Sequence, residues 1–101
     1  MKLYGHPYSN AARRVQMLCE ECGIPYTYQL VDLMKGEQYT PEYLALNPNG
    51  KVPVIDDDGF VLWESQAIMR YLCDKHKAQA WYPAEPKARA QVEGWLDWNQ
   101  T

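Results

Sequence analysis

The segment from Asn47 to Ile68 limits what this chain can fold into more than any other. Val52-Pro53-Val54-Ile55-Asp56 and Phe60-Val61-Leu62-Trp63 read as two β-strands, with Asp57-Asp58-Gly59 turning between them. A proline at the head of a strand interrupts the ladder there. That leaves the Val52 amide and carbonyl available to a strand from outside. Glu64-Ser65-Gln66-Ala67-Ile68 then opens a helix. Its first amides have no internal partners and, helped by the helix dipole, attract a carboxylate. Hairpin and helix start together offer a small acidic peptide two kinds of main-chain docking.

The rest of the chain places this unit in an α/β fold. Lys2 to Gly5 is a first strand, and His6-Pro7-Tyr8 is a loop. Ser9-Asn10 caps a helix whose apolar positions Ala11, Ala12, Val15, Leu18, Cys19 and Cys22 follow a 3.6-residue period. Gly23 ends it, with Pro25 just beyond. Tyr26 to Val31 reads as a second strand with alternating faces, which implies parallel pairing through the helix. Thr40-Pro41-Glu42 starts a short helix through Leu46, and a third helix from Ser65 to about His76 buries Ile68, Tyr71 and Leu72. The order is βαβ-α-ββα, for which a mixed four-stranded sheet with helices on both faces is the simplest packing. Residues 78–86 read as a linker. An amphipathic helix begins near Lys87, with Ala88, Val92, Trp95 and Leu96 on one stripe. That stripe is expected to need a partner surface from further chain beyond Thr101.

Composition removes several function classes. A chain of 101 residues makes one domain, or one domain plus part of another. Ten basic and thirteen acidic residues give a net charge of −3 with no dense block of either sign, which argues against nucleic acid or anionic membrane as partner. No apolar run is long enough to span a bilayer. Three cysteines do not make a disulfide framework, so a cytoplasmic protein is expected. Cys19-Glu20-Glu21-Cys22 has the spacing of a redox pair, but it falls near the helix C-terminus on the apolar stripe. A working pair sits at the N-terminus, so these thiols and Cys73 are read as buried core. His6 and His76 lack companions for a metal site, and no metal is expected.

The docking segment, together with Lys2-Leu3-Tyr4-Gly5, Ser9, Val31-Asp32-Leu33, Asn47-Pro48, Trp81-Tyr82-Pro83 and Ala88-Arg89-Ala90, resembles the N-terminal domain of glutathione S-transferases. The resemblance covers nearly the whole chain, in that family's order and spacing. Ser9 and the segment near Trp81 are most similar to the theta, phi and related bacterial branches. It implies a thioredoxin-like fold over residues 1–77 that binds glutathione, a linker at 78–86, and the first helix of an all-helical domain at 87–101. It also implies a cytoplasmic homodimer acting in detoxification on small electrophiles.

The site residues follow from the same resemblance. Ser9 would donate its hydroxyl to the glutathione sulfur, although the residues alone favour a helix cap several times over. Only about 3 % of an ordinary thiol is ionised at neutral pH, and a fall of roughly two pKa units would make most of it anionic. Asn10 would serve as cap or second donor. Lys51 would pair with the glycyl carboxylate, and Val52 would bond the cysteinyl main chain next to a cis peptide at Pro53. Glu64 and Ser65 would hold the γ-glutamyl end, Ser65 being otherwise a cap. Gln38 stands where relatives carry a histidine, so it would donate to the glycyl end without a charge. Arg13 and Arg14, near the positive end of their helix, are read as an ion-paired solvated face. Two other readings remain: a non-catalytic glutathione-binding or dimerisation module, and a thiol-disulfide oxidoreductase.

Overall fold

The computed structural model describes residues 1–100. It contains β1 (Lys2–Gly5), α1 (Asn10–Cys22), β2 (Thr27–Leu30), α2 (Pro41–Leu46), β3 (Val54–Asp57), β4 (Phe60–Trp63), α3 (Ser65–Lys75) and α4 (Pro86–Asn99). Two short 3-10 turns, Leu33–Lys35 and Glu37–Tyr39, lead into α2. The strands form one sheet in the order β2-β1-β3-β4, with β1 and β2 parallel and the other pairs antiparallel. This is the mixed sheet expected from the order of elements.

Alternation along the strands divides the core between the two sheet faces. Leu3, Ile55 and Leu62 are in register and turn toward α1 and α3, where they pack with Val15, Leu18, Ile68 and Leu72. Tyr4, Val54 and Val61 point to the opposite face and meet Val31, Tyr43 and Leu46 under α2. Gly5 closes the end of β1 because a side chain would not fit. A Cβ there would stand 3.0 Å from the Tyr28 hydroxyl and 3.2 Å from Ala12 Cβ. Strand β2 is shorter than the expected Tyr26–Val31, and its burial does not alternate. It is an edge strand, mostly exposed, with Tyr28 half-buried.

Strand β3 is tied to α3 through a buried carboxylate. Asp57 accepts from the Tyr71 hydroxyl at 2.6 Å and from Lys75 Nζ. These two bonds hold the Asp57 carboxyl below its ordinary value. A carboxyl depressed by folding contributes stability above its unfolded pKa of about 4, and that contribution is lost as pH falls through the folded value. Asp57→Asn should therefore lower the melting temperature at neutral pH. Thermal melts in increasingly acid buffer should show the gap from the parent protein closing below about pH 4. A gap constant through that range would exclude the ion pair as its cause.

The segment before α4 is ordered by Tyr82, which is buried. Its hydroxyl donates to Glu93, and the Arg89 guanidinium lies 3.9 Å from its ring centroid. Arg89 also bonds the Pro83 carbonyl and Asp74, each at 2.7 Å. Helix α4 is capped by Glu85, which accepts from the Ala88 amide, with Pro86 in the first turn. Trp95, on the stripe expected to need a partner surface from further chain, is 71 % exposed. Val92 and Leu96 instead line an apolar crevice with Met69, Trp81 and Tyr82. Trp95 precedes Leu96 by one residue, about 100° around the helix, and turns away to meet Trp98 edge-on.

Candidate functional site

The site begins where α2 hands over to β3. Asn47 is buried, and its Nδ2 donates to the Lys51 carbonyl at 2.9 Å. The Tyr43 hydroxyl donates to that same oxygen at 2.6 Å. Gly50 adopts φ +63° against the Tyr39 ring, where a Cβ would stand 3.0 Å from a ring carbon. The loop is thus pinned just before Val52, and the Val52-Pro53 peptide bond is cis. Sheet pairing starts only at Val54, opposite Tyr4, so Val52 lies outside the ladder. The Lys51 side chain is exposed and has no acidic partner among the described residues.

The second wall forms where β4 becomes α3. Glu64 takes φ 80°, ψ 112°, and makes no side-chain cap. Such a backbone costs a non-glycine residue about 1–3 kcal/mol and is held by its surroundings. Ser65 is therefore not the cap; it is the first residue of α3, 3 % exposed. The opening amides of α3 are left without a side-chain acceptor. One Glu64 oxygen accepts from Gln100 Nε2 at 2.9 Å, which brings the end of α4 to the same place.

Between these walls lies a cleft of about 350 Å³. Lys51, Val52 and Pro53 line it together with Glu64 and Ser65, so five of the residues expected at the site share one cavity. The other three are arranged differently. Ser9, half-buried, caps α1: its oxygen accepts from the Ala12 amide at 3.1 Å. That bond uses a lone pair, so the hydroxyl proton remains available for donation. Asn10 is exposed as the first residue of α1 and is not the cap. Gln38 lies in a 3-10 turn beside the Gly50 loop, with its Oε1 buried and without a hydrogen-bond partner among the described residues.

Some expectations are corrected here. Arg13 is exposed on the outer face of α1, whereas Arg14 is half-buried and lines the cleft. Neither forms an ion pair among the described residues. Cys19 is buried, and desolvation pushes its thiol up to about 11, aided by Cys22 and Glu20. Cys22, the last residue of α1, is only half-buried and packs against the rim of the core. Tyr43, Asn47, Arg14 and Gln100 were not expected at the site. Only Asn47, in the Asn-Pro dipeptide before the loop, carries a signal that the sequence could have yielded. Among the described residues no group of His, Cys, Asp and Glu could hold a metal ion, and no helix is long and apolar enough to cross a membrane.

The cleft therefore combines an unpaired main-chain edge at Val52, a helix start, a lysine, an arginine and a glutamate. Residues 8–75 match the family described as glutathione S-transferase, N-terminal domain. Glutathione S-transferase theta-3 of Mus musculus is 40 % identical over 102 residues, covering 100 % of this chain and 42 % of that protein. The crystal structure of human glutathione transferase theta-2, in complex with glutathione and an unknown ligand, superposes with a TM-score of 0.93 at 37 % identity, covering 98 % of this chain and 41 % of that one. A diazinon-metabolizing glutathione S-transferase of the silkworm, Bombyx mori, gives a TM-score of 0.95 at 37 % identity, covering 99 % and 50 %. The chain thus spans half or less of the length of these relatives. With the sheet order, the cleft and these likenesses in agreement, the chain belongs to the glutathione S-transferase family and carries its thioredoxin-like N-terminal domain.

Proposed function

We propose that the cleft binds glutathione and that the protein adds its sulfur to an electrophilic carbon. The observation that carries this reading is the gathering of Lys51, Val52, Glu64 and Ser65 around one cavity. Small-ligand pockets start at roughly 300 Å³, which is room for one tripeptide here. In this reading the glycyl carboxylate meets Lys51. The cysteinyl main chain pairs with Val52 as an added strand, and the γ-glutamyl carboxylate rests on the Ser65 hydroxyl and the first α3 amides. Glu64 faces the ammonium.

Ser9 acts on the sulfur. Its hydroxyl proton donates to the thiolate, and the N-terminus of α1 adds favourable field. The thiol proton leaves to solvent, the sulfur pair forms a bond to carbon, and a departing halide takes the electrons of the broken bond. Asn10 and Gln38 are secondary donors at the sulfur and glycyl ends. The wider reading has residues 1–77 as the glutathione-binding unit, 78–86 as linker and the helix after it as the start of a helical domain, in a cytoplasmic homodimer.

Calorimetric titration of the chain with glutathione tests the binding step. Lys51→Ala should weaken binding about tenfold, and raising the salt concentration should shrink that difference, as expected for a carboxylate contact. No heat and no saturation with the parent chain would refute the proposal. Saturable binding without turnover, in a protein supplied with an activated aryl halide, would favour the non-catalytic module.

A further inference from the structure

The loop that carries Ser9 hangs on a buried side chain that the proposed reaction does not use. His6 follows β1 directly and is 6 % exposed. Its main-chain oxygen accepts from the Ser9 amide at 3.0 Å, which closes a β-turn with Pro7 in the second position. Its ring Nδ1 accepts from the Tyr8 amide, also at 3.0 Å. Pro7 has no N–H, so both amides that follow His6 in the loop end on it. On the far side, the Arg13 amide donates to the Ser9 carbonyl at 3.0 Å. Ser9 is therefore held by α1 on one side and by His6 on the other.

The direction of the Tyr8 bond settles the state of the ring. A nitrogen that accepts carries no proton, so Nδ1 is bare and the proton of the neutral imidazole is on Nε2. With its lone pair taken, Nδ1 is not the base for the thiol. The Tyr8 ring, itself exposed, lies 5.0 Å from the imidazole between centroids, so a ring contact backs up the amide bond. A serine side chain is short, and its hydroxyl goes where the main chain puts it. A donor displaced by about 1 Å loses much of its hold on an anion.

We infer that His6 is a positioning residue for Ser9: its neutral ring, protonated on Nε2, holds the loop that aims the serine hydroxyl at the sulfur of the ligand. The inference rests on Ser9 acting on the sulfur of glutathione.

The experiment uses the 101-residue chain with glutathione and with S-methylglutathione, which has no thiol to ionise. His6→Phe keeps a ring and removes the acceptor. His6→Asn removes the ring and keeps an acceptor the same number of bonds from the main chain, in an arrangement that asparagine favours in turns. Ultraviolet titration of bound glutathione should place the thiol pKa about one unit higher with His6→Phe than with the parent, the field of α1 remaining. His6→Asn should bring it back close to the parent, even where this variant melts at the lower temperature, a separation that a purely structural role would not give. All three chains should bind S-methylglutathione within about twofold, because the docking frame at Val52 and Ser65 is independent of the loop. In the parent, the long-range nitrogen resonance spectrum of the bound chain should show the His6 proton on Nε2 alone. That spectrum needs no variant, so it tests the inference even if His6→Phe fails to fold. A proton on Nδ1, a lowered parent thiol unmoved by His6→Phe, or equal thiol shifts in both variants would overturn the inference. A parent chain that leaves the bound thiol at its ordinary pKa would instead sink the Ser9 reading, and absence of binding the glutathione reading.

Discussion

Replacing Ser9 with alanine is expected to cut glutathione-dependent turnover of an activated aryl halide about 100-fold while changing glutathione affinity little. The estimate follows from thiol acidity. A hydrogen bond and a helix end that lower the pKa by roughly two units supply about 2.7 kcal/mol of preference for the anion. Losing one such donor to a developing or resident anion costs on the order of 10² to 10³ in rate elsewhere. Ser9 is also the α1 cap, bonded to the Ala12 amide at 3.1 Å, so alanine also removes about 1 kcal/mol of stability. Two further substitutions separate these roles. Ser9→Thr keeps both cap and donor and should retain much of the rate. Ser9→Asp keeps the cap acceptor but sets a negative charge against the thiolate, so it should melt at or above the parent temperature and be inactive. An aspartate variant as active as the parent would mean that position 9 only caps the helix.

The largest effect on stability is expected at Ile68. This side chain is 0 % exposed and packs with Leu3, Ile55 and Leu72 between α3 and the sheet. Truncation to alanine leaves a cavity in addition to the lost transfer energy, about 3–4 kcal/mol in total. A domain of this size has roughly 5–15 kcal/mol to lose, so the midpoint in urea should fall steeply with an unchanged slope. The position also matters to the site. The Ile68 amide donates to the Glu64 carbonyl at 2.9 Å, closing the first turn of α3 beneath Ser65. Glutathione should therefore rescue part of the lost stability through mass action. A loss under about 1 kcal/mol would show that α3 settles into the void, contrary to the close packing described.

Local signals were enough to read the frame of the molecule. Ser9 and Gly23 bracket α1, Pro41 begins α2, and Asp58-Gly59, within the expected turn, join β3 to β4, because caps and turns are decided by a few neighbouring residues. Alternation, expected along Tyr26 to Val31, was misleading there because β2 is an exposed edge strand. The site was legible mainly through family likeness, in the loop from Lys51 to Pro53 and the pair Glu64-Ser65. What escaped depends on long-range packing. Nothing local distinguishes Arg14, which enters the cleft, from Arg13, which does not; the rotation of α1 on the sheet decides it. Trp95 fits an amphipathic stripe as well as Leu96 does, but only Leu96 finds the crevice behind Tyr82. Tyr43 reaches the Lys51 carbonyl across eight residues, and Gln100 reaches Glu64 across thirty-six. The second lies outside any local window of sequence, and the first depends on the fold of the loop between its partners.

The most direct test is an ultraviolet titration of the thiolate absorbance of glutathione bound to this chain, compared with its Ser9→Ala variant. The parent chain should show a bound thiol with a pKa near 6.5, about two units below the ordinary value, and the alanine variant should move it most of the way back toward about 8.5, with the α1 field accounting for the remainder. Identical titrations for bound and unbound glutathione would contradict the claim that this protein stabilises the thiolate.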